Sequence, residues 1–149
     1  MKVLLAIDGS PPSDAAVEAV SRRPWPPQTE VRLLTVAPPI APDLLRTAAT
    51  SAYDEVMKQE RTEATSRLHR AAALLRHNAP DLPVMPQLRE GWPKEVILDE
   101  AEAWGADLIV VGSHGYGVMK RLLLGSVSLA VATSAPCSVE IVRTPPEKS

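Results

Sequence analysis

Short, almost wholly apolar runs alternate along the chain with longer segments in which apolar residues recur at helical spacing. Val3 to Ile7 and Leu108 to Val111 are continuously apolar, as strands covered on both faces of a sheet tend to be. Val31 to Val36 and Ser138 to Val142 read as two further strands. Leu82 to Leu88 reads as a weaker one, interrupted by Pro83 and Pro86, and proline within a strand favours a sheet edge. Ser10 or Ser13 caps a first helix, with prolines set near its first turn and Pro24 beyond its end. Pro42-Asp43 opens a long segment in which Leu45, Ala49, Ala52, Val56, Ala64, Leu68, Ala71 and Leu75 recur at mostly helical spacing. Its polar stretch Lys58 to Glu63 is expected to loosen the helix or expose one turn of it. Lys94 to Trp104 forms a third helix closed by Gly105, and Ser126 to Ser134 starts a last one that Pro136 stops.

The order β-α-β-α-β-α-β-α-β predicts the α/β class: a single open parallel five-stranded sheet, Rossmann-like, with right-handed crossovers and helices on both faces. The two most apolar strands belong at the centre and the proline-bearing third strand at one edge, which fits the strand order 3-2-1-4-5. The switch point of that order lies between strands one and four, where open α/β sheets bind ligands beyond the carboxyl ends of their strands. Asp8 ends strand one and Gly112 follows strand four. Two features 104 residues apart in sequence therefore converge on one crevice.

The chemistry expected there follows from Gly112-Ser113-His114-Gly115, nine residues, then Gly125-Ser126-Val127-Ser128. Read as strand, glycine loop and helix start, this is a phosphate-binding arrangement. Glycines let backbone amides approach an anion without Cβ interference, and a helix N-terminus presents unpaired N–H groups with a favourable dipole. Ser126 and Ser128 add hydroxyl donors at that helix start.

The same residues carry a family resemblance. Gly112-x-x-Gly115, the nine-residue spacer and Gly125-Ser126 resemble the ATP-binding signature of the universal stress protein family. Val3-Leu4-Leu5-Ala6-Ile7-Asp8-Gly9-Ser10, followed by Ser13 and Ala16, is similar to that family's first strand and first helix. The likeness covers nearly the whole chain and implies the same 3-2-1-4-5 sheet, with residues 1–144 as the nucleotide-binding domain and 145–149 as a polar tail.

It also implies roles. Gly112, Gly115, Gly125 and Ser126, with the amides of Val127 and Ser128, would hold the phosphates of ATP. His114, between the glycines, would touch phosphate through its backbone. Asp8 would contact ribose or a phosphate-bound Mg2+, since a carboxylate beside a triphosphate is otherwise repelled. Ala6, Ile7 and Val36 would form the apolar floor under adenine. The resemblance implies a nucleotide-dependent regulatory module of the stress response with no catalytic residue, and a homodimer paired through the apolar edge strand Cys137 to Val142. Two alternatives stand beside it: a slow ATPase using the same site, and a dimeric interaction module that binds no nucleotide.

Other features change this picture little. Lys120 and Arg121 in the spacer read as solvated side chains within reach of phosphate, and Tyr116 as a loop residue. His69 and His77 lack the carboxylate or cysteine pattern of a metal site, and Cys137 reads as a small apolar residue. No G-x-x-x-x-G-K-[ST] loop occurs, which excludes an ordinary P-loop NTPase. Strand one ends in a single Asp8 and strand three runs into Arg89-Glu90-Gly91, which excludes a response-regulator phosphoacceptor site. A Ser-Gly-Gly-rich loop of the adenylating pyrophosphatase type is also absent. At 149 residues the chain fits one domain, and its net charge of −2, with both signs interspersed, gives no electrostatic case for nucleic acid or an anionic membrane. The lone cysteine excludes an internal disulfide and suggests a reducing compartment, the cytoplasm. Val3 to Ile7 is too short for a signal-peptide core or a membrane span.

Overall fold

A computed structural model of the chain describes residues 1–39, 50–114 and 124–144. Its elements follow in the order β1 (Lys2–Ile7), α1 (Pro11–Arg22), β2 (Glu30–Ala37), α2 (Thr50–Asn78), β3 (Val84–Glu90), α3 (Pro93–Trp104), β4 (Leu108–Gly112), α4 (Ser126–Ser134) and β5 (Ser138–Val142). The strands form one parallel sheet in the order β3-β2-β1-β4-β5, as the run of apolar segments predicts. The proline-bearing strand lies at an edge, where Pro86 removes no donor that an inner strand would need.

Alternation along the strands sorts the core into two layers. Val3, Leu5 and Ile7 of β1, Val31 and Leu33 of β2, and Leu108 and Val110 of β4 pack with α1 (Ala16, Val17, Val20) and α2 (Leu68, Ala72, Leu75). Leu4, Ala6, Leu34, Ile109 and Val111 face the other way, onto Ile97 and Ala101 of α3 and Val131 of α4. The central strands are thus covered on both faces, which is why they carry no polar alternation.

The helix ends follow local chemistry. Ser10 is the N-cap of α1 and accepts from the Ser13 N–H at 3.4 Å, with Pro11 and Pro12 in the first turn. Gly105 closes α3 in the left-handed conformation. Of the two outcomes expected of Lys58 to Glu63, exposure is the one found: α2 runs unbroken for 29 residues and this stretch of good helix formers lies largely exposed on it. Its buried stripe is Met57, Ala64, Leu68, Ala72 and Leu75, whereas Ala52 and Val56 are exposed. Pro42-Asp43, Leu45 and Ala49 lie outside the described residues.

At the edge, β5 is less apolar in its contacts than its composition suggests. Glu140 accepts from both terminal nitrogens of Arg23, the residue that ends α1, with Nη1 at 2.6 Å from Oε2. The guanidinium also lies over the Trp25 ring, 4.9 Å from its centroid. Cys137, just before β5, is half-buried against the α3/α4 layer, and burial pushes its thiol pKa up.

The Arg23 hydrogen bond, opposed in part by burial, holds the Glu140 carboxyl below its usual value of 4.5. A depressed folded-state pKa means that the stabilisation is present above the unfolded value and is lost as pH falls through the folded one. Wild type is therefore expected to exceed Glu140→Gln by up to about 1 kcal/mol at neutral pH. In denaturant titrations that gap should begin to close below pH 4.5 and vanish in stronger acid. A gap that stays constant across the acid range would remove the ion pair as its cause.

Candidate functional site

Strand β1 ends at Ile7, and Asp8-Gly9-Ser10 then turns the chain into α1. Gly9 sits at φ 81°, a backbone region that side chains with a Cβ rarely adopt. The turn is held by its own polar groups. Asp8 Oδ1 accepts from the Ser10 N–H at 2.9 Å and from Ser10 Oγ at 2.5 Å. Ser13 Oγ accepts from the Asp8 N–H at 3.1 Å. The second carboxylate oxygen of Asp8 has no hydrogen-bond partner among the described residues, and the side chain is exposed.

The end of β4 approaches this turn from the neighbouring strand. A Cβ on Gly112 would stand 2.7 Å from the carbonyl carbon of Pro12 and the nitrogen of Ser13. The first glycine of the signature is thus demanded by the packing of α1 against β4, before any ligand is considered. Ser113 follows, buried, and donates its N–H to the Val142 carbonyl at 2.8 Å. Its own carbonyl accepts twice from the other arm of the glycine loop: from the Gly125 N–H at 2.9 Å and from Ser128 Oγ at 2.7 Å. His114 is oriented by its neighbour, with Nδ1 3.1 Å from Ser113 Oγ, and its carbonyl lies 3.3 Å from Ser10 Oγ.

Helix α4 begins at Ser126 with Gly125 as a side-chain-free N-cap, and its first main-chain bond runs from the Leu129 N–H to the Gly125 carbonyl at 2.9 Å. Ser126, Val127 and Ser128 therefore present N–H groups that no described residue accepts, together with the positive end of the helix dipole. Ser128 departs from the role expected of its side chain. Its hydroxyl is directed at the Ser113 and Gly125 carbonyls and braces the loop, so its remaining donor is the backbone N–H.

These elements enclose a cavity of about 320 Å³ on the α3/α4 side of the sheet. Its apolar wall is Ala6, Leu34, Val36, Val111, Pro93 and Ile97, and its polar rim is Asp8, Ser10, Ser13, His114, Ser126 and Ser128. Ile7, Gly112, Gly125 and Val127 complete the lining. All residues singled out from the sequence line it save Gly115, which lies outside the described residues, as do Tyr116, Lys120 and Arg121. Ile7 contributes differently from the expected floor. Strand alternation places its side chain in the α1/α2 layer, so the wall there is Ala6, Leu34 and Val36.

Sequence reasoning did not single out Leu34, Val111, Pro93 and Ile97, and it treated Ser10 and Ser13 only as caps. A signal was present in the alternation that pairs Leu34 with Val36 and in the four-residue spacing of Pro93 and Ile97 on one helix face. His69 and His77 are both exposed on α2, and no metal-binding cluster of His, Cys, Asp or Glu occurs among the described residues. No described helix is long and apolar enough to cross a membrane.

The chain matches the universal stress protein family over residues 1–143. It is 34% identical over 155 residues to a universal stress protein of Mycolicibacterium smegmatis, covering 96% of this chain and 46% of that one, so it spans about half of that relative's length. It is 33% identical over 141 residues to a universal stress protein of Thermus aquaticus, covering 95% of this chain and 97% of that one. The fold superposes on the solved structure of hypothetical protein MJ0577 with a TM-score of 0.84, at 26% identity over 98% of this chain and 97% of that one. A universal stress protein family protein from Arabidopsis thaliana, solved with AMP bound, shares the fold at a TM-score of 0.69 and 19% identity, covering 99% of this chain and 94% of that one. By its match to the family over residues 1–143, and with the sheet order and glycine signature already described, this chain belongs to the universal stress protein family.

Proposed function

We propose that the protein binds an adenine nucleotide, ATP together with Mg2+, in the cavity at the β1/β4 switch point, and acts as a nucleotide-dependent regulatory module. The observation that carries this reading is the uncapped start of α4 on the rim of a cavity whose opposite wall is apolar. A base needs an apolar slot and a polyphosphate needs converging N–H donors, and one crevice supplies both. At about 320 Å³ the cavity matches the base and ribose, leaving the phosphates to run along the rim to Ser126. The unpartnered oxygen of Asp8 is the natural contact for ribose hydroxyls or for a phosphate-bound Mg2+. The AMP-bound fold neighbour agrees with a nucleotide on this scaffold, while the choice of ligand rests on the residues of this chain.

The reading is of a binding protein in the cytoplasm, with no catalytic residue and at most a weak ATPase activity. Its expected partner is a second copy of the chain. Among the described residues β5 is a sheet edge with half-buried Val139, Ile141 and Val142, and an uncovered parallel edge invites strand pairing.

Calorimetric titration with Mg-ATP should give micromolar affinity, about −8 kcal/mol, and AMP should bind more weakly. Ser126→Glu separates the helix start from the apolar slot. A carboxylate at the first position of α4 should raise stability by about 0.3–1 kcal/mol. It should also weaken ATP by roughly tenfold or more through repulsion while leaving adenosine unaffected. Equal losses for ATP and adenosine would place the phosphates elsewhere. Phosphate release above background that disappears in Asp8→Ala would turn the binding protein into a slow ATPase. No binding by nucleotide-stripped, folded protein would remove the reading altogether.

Sedimentation at micromolar concentration should report the mass of a dimer. A monomeric mass would leave the β5 edge without its expected partner.

A further inference from the structure

The Asp8 turn has two sides. One faces the cavity, and the other is covered by an arginine that does not line the cavity. Arg67, from the face of α2 that packs on the sheet, lays its side chain against Gly9: a Cβ there would stand 2.6 Å from Nε, 3.1 Å from Cδ and 3.5 Å from Cζ. Farther along, Nη1 lies 3.5 Å from Thr35 Oγ1, and this fully buried hydroxyl donates to the Ile7 carbonyl at 2.8 Å. The guanidinium thus spans the ends of β1 and β2, directly behind the turn.

Two physical points give this contact meaning. Glycine is the most permissive residue of the chain, so a contact from outside adds to the Asp8–Ser10 hydrogen bonds in restricting a turn centred on Gly9. Second, Arg67 is partly buried and makes no ion pair among the described residues, and a cation withdrawn from water without a counterion is costly. Packing alone would be served by an apolar side chain of similar length.

We propose that Arg67 is a positioning residue for Asp8. By packing on Gly9, and by reaching through Thr35 to the Ile7 carbonyl, it fixes the turn so that the unpartnered carboxylate oxygen is aimed at the bound ligand. The consequence for ligand rests on the nucleotide reading of the cavity. The consequence for the turn does not.

The test uses Arg67→Met, which keeps the length and removes the guanidinium, Arg67→Lys, Asp8→Asn and the Asp8→Asn/Arg67→Met double variant. With Mg-ATP as the titrant, Arg67→Met is expected to weaken binding about tenfold, and Asp8→Asn/Arg67→Met to bind no worse than Asp8→Asn alone. Arg67→Lys, folded even if the methionine variant is not, should show a smaller loss with the same non-additivity. In ligand-free protein, amide exchange at Ser10 should quicken in Arg67→Met while the melting temperature stays that of wild type. Additive losses, an Arg67→Met affinity equal to wild type, or unchanged exchange at Ser10 would overturn the assignment. A wild type that binds no ATP removes the nucleotide reading, and the exchange measurement then still decides whether Arg67 holds the turn.

Discussion

The carbonyl of Ser113 is the point on which the site is hung. It receives the Gly125 N–H and the Ser128 hydroxyl, and so brings the start of α4 back to the end of β4. Chain connectivity alone does not do this, because the intervening stretch is long enough to place α4 in many positions. The two bonds are buried, where an unmade partner would cost about 1–3 kcal/mol, so the clasp is stiff. Its stiffness leaves the next three N–H groups of α4 pointing outward with no acceptor among the described residues. The clasp thus joins the two described arms of the glycine signature and sets where those N–H groups stand.

A similar division holds at the neighbouring strand. Gly112 is shaped by the need to admit the first turn of α1, and Gly9 by the backbone conformation of the Asp8 turn. Both glycines satisfy the scaffold first. What remains for a ligand is a short list: one oxygen of Asp8, the α4 N–H groups, the His114 backbone and ring, and the apolar wall. Donors already placed by the scaffold in this way lose little freedom on binding.

The fold was legible because burial on both faces leaves an unmistakable mark. Val3 to Ile7 and Leu108 to Val111 have no polar positions to blur them, and proline placed the third strand at an edge. The long helix was read less well. The repeat singled out Val56, four residues after Ala52, but Val56 is exposed and its neighbour Met57 is the buried one. The glycine side of the cavity was legible from the glycine spacing between a strand and a helix start. Its apolar wall was less so, because Leu34, Val111 and Ile97 look like any core residue. Strand parity puts the Ile7 side chain in the α1/α2 layer, although the residue still borders the cavity between Ala6 and Asp8. Ser128 was misread for a different reason: a serine at a helix start can donate outward or back to its own loop, and only the position of the Ser113 carbonyl settles which.

Several polar pairings tie down the amino side of the sheet, and this helps to explain how the site at the β1/β4 carboxyl ends can be left open. Lys2 donates its N–H to Asp107, Arg32 pairs with Glu100 and lies 4.3 Å over the Trp104 ring, and Arg23 joins Glu140. At the carboxyl ends of β1 and β4, N–H donors and a carboxylate oxygen around the cavity have no partner among the described residues. Unsatisfied groups weaken a fold unless water or a ligand meets them, so they are tolerable where solvent has access and the chain is clamped from elsewhere. The clamped end and the two-sided core make the open end affordable, and they also mean that substitutions on the rim should move binding more than stability. The Asp8 turn is where these regimes meet: its front belongs to the cavity, and its back to the packed layer of α1 and α2.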